Sequence, residues 1–216
     1  VEIDKILSRN SVWDLGNSWL YKLFETYPKN KKSDEIVAKV WILGRCYAAA
    51  VERRKIKDNL NNDAFYKSKV IKAIQSAKID EGLATINSEK DEVNKMKAKL
   101  KLHKDLQKEL RCITGHDKRS FSSKYLHFHM PKEFYIYDTR AVDALRMLPK
   151  EYKISRREIK AKLGNHNFDK VYAQFFCKCE FAKSQITKTL NRPISIREYD
   201  TILLDLINQQ KERNKT

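Results

Sequence analysis

Apolar residues return at three- and four-residue steps along most of the chain, without sustained period-two alternation, so helices are predicted and half-buried strands are not. The first helix, VWDLGNSWLYKLFETYP, would set Trp13, Trp19, Leu20 and Leu23 against a core edge and close at Pro28 and the polar KNKKS. Ser33 precedes Asp34 and Glu35 and is placed to cap a long helix with a buried stripe of Ile36, Val40, Leu43, Tyr47 and Val51. From about Ala64 to Leu110 the pattern predicts two helices separated by the softer AKIDEGLATINS. The second turns Val93, Met96, Leu100, His103, Leu106 and Leu110 inward. His103 is then a packed histidine, since no metal-type residue follows at the fourth position. SRRE (Ser155 to Glu158) and SIRE (Ser195 to Glu198) are capping boxes, which predict helix starts near 156 and 196. Gly164 ends the first of these helices. Phe168, Val171, Tyr172, Phe175, Cys179, Ala182, Ile186 and Leu190 mark a long core helix, and Ile196, Tyr199, Leu203 and Leu206 anchor the last, whose tail QQKERNKT is expected to fray.

The expected fold is all-α, two packed helical layers in one unit over residues 1–216. Its parts are N-terminal helices over 1–62, helices with a hairpin over 63–150 and C-terminal helices over 151–216. Five glycines and four prolines agree, because a turn-rich β sandwich or barrel needs more of both.

Charge changes the picture further. The chain has 45 Lys and Arg against 28 Asp and Glu, a net charge of +17, more than solubility requires and suited to a polyanion. Nucleic acid is the partner this favours, with a merely soluble basic protein as the alternative. The basic residues are not gathered on one amphipathic helix, which disfavours a membrane surface. No apolar run approaches the roughly 20 residues of a membrane span, and VEIDKILSRN lacks a signal-peptide core, so a cytoplasmic protein is expected. Cys46, Cys112, Cys177 and Cys179 lack zinc-type pairing and are read as buried reduced thiols. No metal or cofactor is expected.

Candidate chemistry gathers in Ser120–Leu145, SFSSKYLHFHMPKEFYIYDTRAVDAL. The preceding helix stops at ITGHDKRS, where Gly115 permits a left-handed turn, and Ser120 begins a short helix with Phe121, Tyr125 and Phe128 inward. The resulting hairpin offers Gly115, Lys118, Arg119, Ser120, Ser122 and Ser123 around a helix N-terminus, where amides, hydroxyls and positive charge can hold a phosphate. Past Pro131, FYIYD is a short extended approach to Asp138, the expected N-cap of TRAVDALRML, with Arg140 beside it. A compact turn at Pro131 would bring Lys124 and Asp138 together. His127 and His129, two apart, cannot both face one pocket. Arg45, among small residues, is either a carboxylate partner or a phosphate ligand.

This order of helix, hairpin, lysine-bearing helix, apolar run and YDTRAV resembles the core of the helix-hairpin-helix DNA glycosylase superfamily over about residues 105–148. SSK resembles that family's lysine position at Lys124, and YDTRAV its aspartate position at Asp138. AKVWILGRCYAAAVERR and SKYLHFHMPKEFYIYD also look like the 8-oxoguanine-glycosylase-like proteins of bacterial anti-phage defence islands. The hairpin departs from the family in holding one glycine where two or three are usual, and Phe128 offers Lys124 no polar partner one turn on. The resemblance implies a monomer acting on double-stranded DNA, phage DNA included, that flips out a damaged or modified base such as 8-oxoguanine and cleaves its glycosidic bond. Asp138 would stabilise the cation growing at C1′, and Lys124 would attack that carbon in a lyase step. Tyr125, His127, Tyr137 and Arg45 are the base-pocket candidates. A catalytically silent nucleic-acid-binding module and an enzyme acting on free bases or nucleosides are the competing expectations.

Overall fold

The computed structural model describes residues 12–53, 55–56 and 60–213. The N-terminal VEIDKILSRN and the last three residues of the tail lie outside the described residues. Among the described residues the protein is all-helical, with no strand.

Helix α1 (Val12–Thr26) ends two residues before Pro28, and α2 (Ser33–Cys46) follows. Ser33 is the first helical residue rather than the cap; Lys32 holds the cap position without a side-chain bond, so the expected Ser33 cap does not form. A turn with Ala48 in the left-handed region folds back so closely that a Cβ on Gly44 would sit 3.0 Å from the Ala50 Cα. Asn61 caps α3 (Asn62–Phe65), which runs through a π-helical segment, Tyr66–Val70, into α4 (Ile71–Ser76). The stretch read as a soft separator is itself helical, α5 (Ile79–Ser88), because Ile79 and Ile86 are buried on one face.

The long α6 (Glu92–Thr114) begins at an Asp91 cap and ends at Gly115, which is left-handed as expected. Then come α7 (Arg119–His129), α8 (Thr139–Met147), a short 3-10 turn (Lys150–Tyr152), α9 (Arg156–Leu163), α10 (Lys170–Leu190) and α11 (Ile196–Arg213). Both capping boxes form: Ser155 with Glu158, and Ser195 with Glu198.

Two apolar cores result. The first joins α1 to α7 through residues such as Leu20, Phe24, Ile36, Phe65, Leu106 and Phe121; the second joins α8, α10 and α11 through Ala144, Phe176, Cys179 and Leu203. Helix α6 lies between them, sending Leu106 and Leu110 to one and Leu100 to the other. The connection from α7 to α8 spans the same seam, with Phe134 in the first core and Tyr135 in the second.

Several apolar residues expected inside are exposed. Trp13 and Trp19 lie outward on α1, and Val93 lies outward in the first turn of α6, ahead of the buried stripe. Cys177 and Cys179 are buried, but Cys46 and Cys112 are exposed at the ends of their helices. His103 packs as expected, stacked on Tyr172 at 3.6 Å, and burial lowers its pKa to about 4.

At φ 72°, with a Cβ meeting Ile56 Cγ1 at 3.1 Å, position 115 is closed to ordinary residues. Gly115→Ala should cost about 1–2 kcal/mol in urea unfolding, and Gly115→Asn less, because Asn tolerates this conformation.

Candidate active site

The connection from α7 to α8 has no strand beside it, so its backbone polar groups need side-chain partners. Helix α7 supplies three of them. Ser123 Oγ accepts from the Tyr137 amide at 2.9 Å and donates to the Ser120 carbonyl at 3.0 Å. One turn on, His127 Nδ1 lies 2.7 Å from the Phe134 carbonyl, which can only accept, so Nδ1 carries a proton. Burial lowers the His127 pKa to about 4, and the neutral ring accepts at Nε2 from Tyr21 Oη at 2.7 Å. The third is Lys124, on the Tyr137 carbonyl. From α10, Tyr172 Oη donates to the Tyr135 carbonyl at 3.0 Å. Glu133, in the preceding turn, is held between Lys95 and Lys99 of α6 at 2.8 and 2.9 Å.

This clamp delivers Asp138 to Lys124. Asp138 is extended, at φ −154°, and caps α8 as expected, its Oδ1 accepting from the Ala141 amide at 2.9 Å. Its Oδ2 lies 3.4 Å from Lys124 Nζ. Lys124 also donates to Ser120 Oγ at 2.7 Å and to the Tyr137 carbonyl at 3.4 Å, and its ammonium lies 5.4 Å above the Tyr47 ring. The polar neighbour that Phe128 cannot provide is supplied by Ser120, one turn earlier. The Lys124 side chain is 2% exposed and that of Asp138 30%. Burial pulls the Lys124 pKa below the ordinary lysine value against the opposing pull of Asp138.

Asp138 opens on a cavity of about 410 Å³ between α1, α8 and α11. Arg140 lines it and donates to Asn208 at 2.8 Å, while Asp200, Arg197 and Asp205 supply the α11 wall. Arg197 bridges Asp200 at 2.8 Å and Asp14 of α1 at 3.0 Å. Asp200, 8% exposed, is raised to about 6, by burial first and then by Asp138, against Arg197 and Lys124. A second recess, about 460 Å³, lies on the other side of Ala48, between Arg53 and the hairpin residues His116, Lys118 and Ser120. Among the described residues no group of three His, Cys, Asp or Glu side chains could hold a metal ion, and no helix is long and apolar enough to cross a membrane.

Several expected phosphate ligands face inward instead. Ser122 and Ser123 are fully buried because α7 is enclosed by α1, α2 and α6. Ser120 is bound to Lys124, and Arg119 is paired with Asp169 at 2.7 Å and with Asp117 at 3.4 Å. Gly115 is exposed, and Lys118 borders the second recess, donating to the Arg53 carbonyl.

Three base-pocket candidates are also displaced from the cavity. Tyr125 is buried on the far side of α7, its hydroxyl on Asn30, and His127 is committed to the clamp. Arg45 pairs with Glu52 at 2.7 Å and covers Trp41. Tyr137 stays beside the pair through its backbone, while its ring packs edge-on against Phe175.

The sequence model of the HI_0787_N family, described as an N-terminal domain, matches residues 2–133, more than half of the chain. The chain belongs to the HI_0787_N family. No curated protein and no solved structure matches it. The family match includes Lys124 and the clamp residues of α7 and stops before Asp138, so the candidate site joins the family segment to the helices that follow it.

Asp200, Arg197 and Arg53 did not stand out in the sequence, and Tyr47 was read only as part of a buried stripe. The available signal was the polar face that Arg197, Thr201, Asp205 and Asn208 form around Asp200 on the last helix. Because Asp138 opposes the effect of burial, Asp138→Asn should lower the Lys124 pKa further. A ¹³C NMR titration of labelled lysine would show this, and an unchanged value would mean that the pairing contributes nothing.

Proposed function

We propose that the protein is a DNA glycosylase with a helix-hairpin-helix core, acting as a monomer on double-stranded DNA in the cytoplasm to release a damaged or modified base. The carrying observation is the contact between a buried, charge-disfavoured lysine and a helix-capping aspartate at the edge of a cavity. The order α6, left-handed glycine, α7 with Lys124, connection, then α8 capped by Asp138 supports the resemblance to that superfamily. The cavity suits a nucleotide turned out of the stack, and this reading assigns the neighbouring phosphates to the recess at Arg53 and Lys118.

As the C1′–N bond lengthens, positive charge grows on the sugar, and Asp138 is placed to stabilise it. Lys124, whose charged form burial disfavours, is the amine placed to add to C1′. A modified base in phage DNA and 8-oxoguanine are the substrates this reading favours.

Duplexes carrying 8-oxoguanine or 5-hydroxymethylcytosine, and phage DNA, provide the test, scored for abasic sites. Asp138→Asn should slow base release by roughly 100-fold or more with DNA affinity unchanged. Borohydride should trap a covalent adduct that Lys124→Gln abolishes; a Lys124→Gln enzyme at full rate would remove the amine from the reaction. DNA binding without release of any base would instead establish a catalytically silent binding module.

A further inference from the structure

The proposed reaction gives Asp200 no task. Asp200 shares the cavity wall with Asp138 but sits on α11, a different element. Its Oδ2 accepts from Arg197, and among the described residues its Oδ1 takes no hydrogen bond. Arg197 is itself fixed by Asp14, so the Asp200 carboxyl is held rigidly.

The geometry points to Asp200 as the proton donor to the departing base, an assignment that rests on the glycosylase reading above. Two carboxyl groups in one cavity, on different elements, can serve opposite roles when their surroundings separate them. Asp138 has a helix amide on one oxygen and Lys124 Nζ on the other. Asp200 faces Arg197 and Asp205 from its own helix, Asp138 and Arg140 from α8, Lys124 from α7 and Asp14 from α1. Burial and Asp138 outweigh the cations and keep it partly protonated near neutral pH.

In the step itself the C1′–N bond breaks and its electron pair goes to the base. A nitrogen or carbonyl oxygen of the base takes the proton from Asp200, and the base leaves neutral. Lys124 first gives its ammonium proton to solvent through Asp138; the free amine then forms the new bond to C1′ and loses a second proton by the same route. Solvent reprotonates Asp200. Substrates of this site are therefore neutral bases that require protonation to depart.

Single-turnover base release from 8-oxoguanine and 5-hydroxymethylcytosine duplexes, measured from pH 5 to 8, tests the assignment. The ratio of the wild-type rate to that of Asp200→Asn should fall up to about tenfold per pH unit above about 6, because the titration of Lys124 is common to both and cancels. Asp200→Asn keeps an acceptor for Arg197 and should preserve thermal unfolding and DNA affinity. At pH 6 it should be slower by roughly 100-fold. Wild-type protein that releases base while Asp200→Asn keeps the same rate and pH profile would overturn the assignment and leave the glycosylase reading standing. Wild-type protein that releases neither base would overturn both.

Discussion

Nine residues, Met130 to Asp138, connect α7 to α8 across the seam between two apolar cores, and the four before Asp138 must satisfy their backbone without a neighbouring strand. Ser123, Lys124 and His127 on one helix and Tyr172 on another meet that demand at the Phe134, Tyr135 and Tyr137 carbonyls and the Tyr137 amide. An unmet buried amide or carbonyl would cost about 1–3 kcal/mol, so this connection tolerates few alternative paths. The contact between Lys124 and Asp138 follows from it: the lysine is one of the backbone's own partners, and the aspartate is the first residue beyond the clamped stretch.

The same economy of buried polar groups recurs elsewhere. Lys39 donates to the Tyr27 and Lys29 carbonyls and to Asn30, fixing the turn after α1, and burial lowers its pKa to about 8. Asn30 is in turn held by Asp80 of α5 and by Tyr125. Asp169 caps α10 and holds Arg119 at the start of α7, joining the hairpin to the second core. The buried Lys39, Lys99 and Lys124 stand on helices and direct their charge to the connections between helices. Desolvation still opposes ionisation wherever the partners are few, as at Lys124 and Asp200.

The helical fold was legible because apolar spacing and capping residues act locally: the boxes at Ser155 and Ser195, the left-handed Gly115 and the Asp138 cap need no knowledge of distant contacts. The meeting of Lys124 and Asp138 was legible from their order around a short turn. What escaped was the direction each side chain takes once the helices pack. FSSKYLHF reads as a one-sided helix, yet α7 is covered on all sides, so Ser122, Ser123 and His127 point into protein rather than toward a phosphate or base. Asp200 was hidden for the converse reason: with Arg197, Thr201, Asp205 and Asn208 it forms a helix face that reads as solvated, yet packing against α8 buries it.

The clamp also turns chain length into a chemical quantity. One residue of backbone spans up to about 3.3–3.6 Å, the same size as the 3.4 Å gap between the ammonium and the carboxylate. With Glu133, Phe134 and Tyr137 anchored to fixed partners, no slack exists to absorb a longer or shorter connection. The number of residues between His127 and Asp138 is thus a ruler for the site, and an insertion there would separate the two charges without altering either side chain.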